Sequence, residues 1–425
     1  MRNTNSKIFL LILLGSLTAF GPLVTDMYLP SLPSMTDYFG TQASMVQLGL
    51  TSSMIGLALR QLFFGPLSDW YGRRPPLLVA MSLFIVSTVC CIFSATIEGF
   101  IFFRLIQGIA GAGGIVVSRS IATDRFTGKE LAKAMAIIGA INGIAPVASP
   151  VLGGFLTDSI GWKGIFIVLL ILGVLLLFSN LHFKESLSVD NRKRGNLKSL
   201  VSSFGIVLKN RRYVYYVLQM GFAMGVLFAN ISSSPFIVQQ HYGFSAFEFS
   251  LFFGINALAI GLAAGLSVKF KNPEHAMFLG SVGMTMMSAV EFVILSNEYH
   301  FAVYEAVLFV LLFSMGLTFT AFCLLSMVGM AFTASNTLAM DCERRNAGVA
   351  SALLGAIGFA FGGIVSPLVG LGDILSTTGL IFFVCSVCSL CFSVLAMNQT
   401  HTNLWGSFKC KMGPVTRFVF LRREK

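Results

Sequence analysis

Apolar runs of about twenty residues recur along the whole chain, separated by short polar connections, and each is long enough to cross a hydrocarbon core of about 30 Å as an α-helix. The pattern predicts twelve crossings, at roughly residues 8–30, 46–68, 76–96, 99–122, 132–157, 163–182, 213–237, 249–268, 275–296, 303–340, 346–369 and 374–397. The tract 303–340 exceeds the roughly 17–25 residues of one crossing. A second crossing there would place the charged stretch Asp341 to Arg345 and the basic C-terminal tail on the wrong side, so it is read as one crossing with an extension. The first run outlasts the ~7–15-residue core of a signal peptide and ends in Pro30 and Pro33, which reads as a retained helix. The fold class is therefore an all-α membrane protein with twelve transmembrane helices.

The only long hydrophilic stretch between crossings is 184–212, which divides six helices from six. This predicts an N-terminal six-helix bundle over 1–183, a cytoplasmic linker over 184–212, a C-terminal bundle over 213–397 and a basic cytoplasmic tail over 398–425. Ser149-Pro150-Val151-Leu152-Gly153 in crossing 5 echoes Ser366-Pro367-Leu368-Val369-Gly370 in crossing 11, as an internal duplication would.

Composition removes the soluble alternatives. Charged residues make up 11% of the chain and hydrophobic ones 55%, against about a quarter charged in ordinary soluble domains. A net charge of +11 would suit nucleic acid only if it formed a basic face. Here the Lys and Arg lie in short connections, and with the N-terminus inside, the outer loops together hold only Lys163. That asymmetry puts both termini in the cytoplasm by the positive-inside rule. The eight cysteines fall mostly inside apolar runs without metal-ligand spacing. No nucleotide-binding glycine loop or nucleophile elbow is present, so nothing points to an enzyme, a metal or an organic cofactor.

Charges inside crossings carry the chemistry. Asp26 lies about 5 residues, or ~7.5 Å, inward of the outer end of crossing 1, and Arg104 has similar depth in crossing 4. A carboxylate there costs several kcal/mol unless neutralised, paired or hydrated. It is a proton site that answers to a nearby cation, a structural ion pair, or a residue already in the outer vestibule. Arg60 and Arg119 lie near the inner ends of their crossings, where their stems can snorkel to phosphates. Glu291 and Glu305 flank the connection between crossings 9 and 10 and read as a solvated rim. Crossing 5 combines Asn142, Pro146, Ser149, Pro150, Gly153 and Gly154, in which prolines remove backbone hydrogen bonds and small residues admit a close neighbour.

The connection between crossings 2 and 3 runs Gly65-Pro66-Leu67-Ser68-Asp69-Trp70-Tyr71-Gly72-Arg73-Arg74-Pro75. It resembles the G-x-L-a-D-r-x-G-r-k signature of the major facilitator superfamily, at Gly65, Leu67, Asp69, Gly72, Arg73 and, as Arg for Lys, Arg74. Four further strings narrow the resemblance to the bicyclomycin/chloramphenicol resistance (Bcr/CflA) drug:proton antiporters. These are Thr25-Asp26-Met27-Tyr28-Leu29-Pro30, Arg104-Leu105-Ile106-Gln107-Gly108, Ser234-Pro235-Phe236 and Ala347-Gly348-Val349-Ala350-Ser351-Ala352. Crossing 5 is similar to the antiporter motif of that class, with Ala145 and Ser149 where its general form has glycines.

The resemblance implies two six-helix bundles rocking about a central cavity, in a monomer in the bacterial inner membrane whose partners are protons, a small amphipathic substrate and lipid. It assigns proton coupling to Asp26 and Arg104. Cavity contacts fall to Tyr28, Gln107, Asn142, Asn230 and Phe236, and gating to Gly65, Asp69, Gly72, Arg73, Arg74, Pro150, Gly153 and Gly154. The matching acid in such transporters engages the start of helix 11, here near Asn346, and the basic residues of its own loop. Proton-coupled import, a metabolite facilitator and a sensor that moves nothing are the alternatives on the same scaffold.

Overall fold

The computed structural model describes residues 5–111, 113–188, 192, 197–296 and 316–399. Helix dominates them, and the first helix shows how sequence sets its limits. α1 (Lys7–Asp26) starts at the N-cap Ser6, whose hydroxyl accepts from the Phe9 amide at 3.2 Å. It ends four residues before Pro30, whose ring would clash with the Asp26 carbonyl and which has no N–H to give it. The expected continuous helix 8–30 is thus broken near its C-terminal end. A 3₁₀ turn (Leu29–Ser31) and the short α2 (Leu32–Phe39) follow, closed by Gly40 at φ 58°.

The remaining first-half helices are α3 (Ala43–Tyr71), α4 (Arg74–Ile92), α5 (Ile97–Gly111), α6 (Gly113–Arg125) and α7 (Gly128–His182). α5 and α6 together occupy the fourth expected crossing. The 55-residue α7 would be about 80 Å long if straight. It is two crossings joined at Gly161, where φ of 69° turns the chain as only glycine does readily. On its second leg, Ile167, Ile171, Leu175 and Phe178 are exposed at helical spacing, a stripe that lipid covers.

The second half contains α9 (Arg211–Phe236), α10 (Ala246–Ser267), α11 (Pro273–Ser296), α12 (Gly316–Cys342), α13 (Ala347–Leu368) and α14 (Ile374–Gln399). α12, with 27 residues, has about the length of one crossing. The expected start of that crossing at 303, with Glu305, and the tail from 400 onward lie outside the described residues. Between the halves, α8 (Leu197–Leu208) is a helix that the hydrophilic linker did not predict. Its Val207 is buried against the second half, while Val201 and Ile206 are exposed. Pairwise packing gives two bundles: α1, α3–α6 and α7 pack among themselves, as do α9–α14. The bundles touch along two seams, α3 on α13 and α7 on α10.

Candidate functional site at the break in the first helix

The first and last described residues, the 72–74 turn and both ends of the linker share one end of the molecule, here the terminal face. Asn5 donates to the His182 carbonyl at 2.9 Å, and the Lys7 ammonium meets Glu130 at 2.5 Å. At the opposite face the broken end of α1 is the junction of the two bundles. The turn Leu29–Ser31 packs against α7 of its own half and against α9 and α10 of the other. A Cβ on Gly153 would overlap the Met27 carbonyl. One on Gly154 would lie 2.5 Å from the Ser250 hydroxyl and 2.6 Å from the Ala246 carbonyl of α10. Two adjacent glycines thus serve two different neighbours, one in each bundle, next to the buried Pro150.

Asp26 is half-buried beside this junction, with no Lys or Arg nitrogen within 4 Å among the described residues. The expected approach of Arg104 is not seen. Arg104 is fully buried, gives Nη1 to Gln107 Oε1 at 2.5 Å and to the Val24 carbonyl at 3.4 Å, and stacks 4.2 Å over the Tyr28 ring. The guanidinium is held by π-density and neutral oxygens. Gln107 passes the chain on, donating to Thr88 Oγ1 at 2.7 Å. Tyr28, Gln107 and Phe236, expected at a cavity, are each at most 1% exposed in this conformation. All three are packed inside and between the bundles, and the Tyr28 hydroxyl has no hydrogen-bond partner among the described residues. Asn230 does line a cavity, and the side chain of Asn142 lies outside the described ones.

Cross-bundle hydrogen bonds gather at the opposite face. Gln47 donates to the Ser232 carbonyl at 3.1 Å, Gln239 to the Pro30 carbonyl at 2.9 Å, and the Phe247 amide to Asp158 at 3.2 Å. Toward the terminal face the α7–α10 seam loosens. A Cβ on Gly139, Gly143, Gly261 or Gly265 would meet nothing within 4 Å among the described residues. The α3–α13 seam stays tight further along, since a Cβ on Gly355 would overlap Gln61.

At the terminal face the turn after α3 is a charge cluster. Gly72 adopts φ 96°, and Gly65 lies on α3 one turn before Asp69. Arg73 bonds Asp69 Oδ1 at 2.6 Å, Asp124 Oδ2 at 3.0 Å and Ser68 Oγ at 2.8 Å. The Glu185 carboxylate accepts from the Arg73 and Arg74 amides at 2.9 and 3.0 Å, an anion at the start of α4 where the helix dipole favours it. Arg74 donates to the Leu181 carbonyl at 2.6 Å. Sequence reading found Asp69 with Arg73 but missed Asp124 and Glu185, which lie 51 and 112 positions from Arg73. Asp69→Asn is expected to leave the fold intact, because Asp124 and Ser68 still hold Arg73, and to change the balance between the two faces. Unaltered transport and unaltered labelling of engineered cysteines on both faces would remove Asp69 from gating.

Three other charges complete the picture. Arg60 does not snorkel: it is 3% exposed, with Nε and Nη1 unpartnered and the guanidinium 5.6 Å from the Phe64 ring. Arg119 is exposed in the middle of α6. Glu291 is not a solvated rim. It is 1% exposed, five residues before the end of α11, and its α11 face points into the second bundle. No signal in a single sequence separates these two faces of so apolar a helix.

The helical architecture matches known proteins over most of the chain. The Major Facilitator Superfamily model covers residues 14–367. The chain belongs to the major facilitator superfamily. This superfamily member is 37% identical over 403 residues to the MFS-type transporter YdgK of Bacillus subtilis, covering 93% of this chain and 98% of that one. It is 27% identical over 381 residues to the bicyclomycin resistance protein homolog of Haemophilus influenzae, covering 87% and 90%. Among solved structures, a bacterial homologue of the human lysosomal transporter Spinster, inward-facing and occupied, superposes with a TM-score of 0.69 at 15% identity, over 93% of this chain and 98% of that one. The nucleoside transporter NupG also gives 0.69, at 14% identity, over 92% and 99%. The superfamily consists of membrane transporters of small molecules, so this is a multi-pass membrane transporter and not an enzyme.

Proposed function

We propose that the chain exports small amphipathic compounds, drugs among them, from the bacterial cytoplasm in exchange for protons by alternating access. The observation that carries this reading is Asp26: a membrane carboxylate without a cationic partner within 4 Å among the described residues, one residue before the Met27 carbonyl on which Gly153 closes. A change of charge at Asp26 acts directly on the junction of α1, α7, α9 and α10. The resistance proteins among its relatives support a drug-like substrate, and the Pro-Gly pattern of α7 supports export over import. With both termini cytoplasmic, the cross-bundle hydrogen bonds seal the outside and the loosened seam opens inward. The N-terminal bundle ends near 183, the C-terminal one begins near 213, and the carrier works as a monomer in the inner membrane.

The decisive assay pairs a resistance profile of a pump-deficient host with substrate-induced proton release from purified protein. Resistance together with proton release supports export, whereas cells that gain uptake overturn it. Reporter fusions after residue 399 and within 184–212 are expected to read cytoplasmic. An outside reading at either would overturn the orientation and, with it, the direction of opening.

A further inference from the structure

Within the second bundle lies a small recess, partly open at its mouth, with about 50 Å³ of room for the centre of a water-sized molecule. It is enclosed by α9, α10, α11, α12 and α14, and its wall is mainly aromatic and aliphatic. Three polar atoms in that wall are buried without a hydrogen-bond partner among the described residues: Glu291 Oε2, Asn256 Oδ1 and Ser234 Oγ. Glu291 Oε1 is already engaged, accepting from Thr320 at 2.8 Å. Buried polar atoms normally find partners, and each one left bare costs about 1–3 kcal/mol. Asn256 Oδ1 is an acceptor and Glu291 Oε2 is one when ionised, so a donor completes both. A carboxylate at this depth is neutralised, paired or hydrated, and none of the described Lys, Arg or His side chains pairs with Glu291 within 4 Å.

We propose that this recess binds a protonated organic amine. The ammonium, a three-proton donor, sits at Glu291 Oε2 with Asn256 Oδ1, and its aryl or alkyl body lies among Phe252 and Phe253, whose rings add cation–π attraction. A neutral alcohol or an anion of the same shape cannot satisfy the pair of acceptors and the charge together. The site names a substrate class within the export reading, on which its physiological meaning rests, but binding itself needs no gradient and is measured separately.

The experiment is titration calorimetry of detergent-purified full chain with 3-phenylpropylammonium and, as its uncharged counterpart, 3-phenylpropanol. The parent is expected to bind the ammonium at least about tenfold more tightly, a difference of about 1.4 kcal/mol. Glu291→Gln keeps shape and folding while removing the charge, and should lose that preference with little change for the alcohol. Ala321→Phe fills the recess from α12, leaves Glu291 in place, and should weaken both ligands. Equal binding of the two ligands by the parent, no binding of either, or an unchanged preference in Glu291→Gln each overturns the proposal. Thermal melts of every variant separate lost binding from lost fold: if Glu291→Gln melts early, Glu291→Asp, which keeps the charge one methylene back, must retain part of the preference or the idea fails. Loss of transport with binding intact would count against the export reading and leave the site standing.

Discussion

Asp26→Asn should abolish proton-driven export, lowering it by at least about tenfold, while the purified protein keeps its fold and its affinity for neutral substrates. The substitution preserves volume and removes the group that a proton neutralises, so the variant is frozen in the equivalent of the protonated state. No cation within 4 Å of Asp26 loses its counter-charge when the acid is removed, so the usual penalty of about 3–5 kcal/mol for breaking a buried pair does not apply. That distinguishes it from Arg104, which also fills space beneath Tyr28 and donates to Gln107 and the Val24 carbonyl. Arg104→Ala is accordingly expected to lower folded yield. The measurement for Asp26 is proton release on substrate addition, followed with a pH dye beside a thermal melt. A normally folded Asp26→Asn that still releases protons like the parent places the carrier acid elsewhere, and Glu291 is then first in line.

The second large effect is steric and has opposite signs at two glycines of the same helix. Gly153→Ala must push α7 off the broken end of α1, because the added methyl overlaps the Met27 carbonyl and a backbone atom there cannot rotate aside. Overpacking of this kind costs typically 1–3 kcal/mol and sometimes more. The expected result is a clear drop in melting temperature and in transport. Gly139→Ala adds the same methyl where nothing lies within 4 Å, and should be neutral or stabilising by about 0.5–1 kcal/mol through the helix preference of alanine. Equal melting temperatures for the two variants would show that the contact at Gly153 does not hold the junction together.

How much of this was legible in the string depended on the range of the interaction that decides it. Crossing lengths, proline breaks and the charge asymmetry of the connections are local and follow from how helix, bilayer and backbone behave anywhere. The 65–75 turn was readable because its acid and base lie four residues apart, and the structure joins Asp69 to Arg73 as that spacing requires. Even there, Glu185 and Asp124 come from other helices. α8 was missed because its apolar positions sit in a stretch whose charge dominates.

Sequence alone determined that the chain is a bundle of membrane helices, because a ~30 Å apolar slab leaves helices of about twenty residues as the way for such runs to satisfy their backbones. It also marked Asp26 and the glycines of crossing 5 as unusual, since acids and close helix approaches are rare in that setting without a reason. Only the tertiary structure decided what each one meets: Arg104 on Tyr28 and not Asp26, Gly153 against one bundle and Gly154 against the other, and Glu291 turned inward to a recess. In a chain this apolar, lipid-facing and bundle-facing positions look alike, and the choice between them is made by helix rotation and by neighbours scores of residues away.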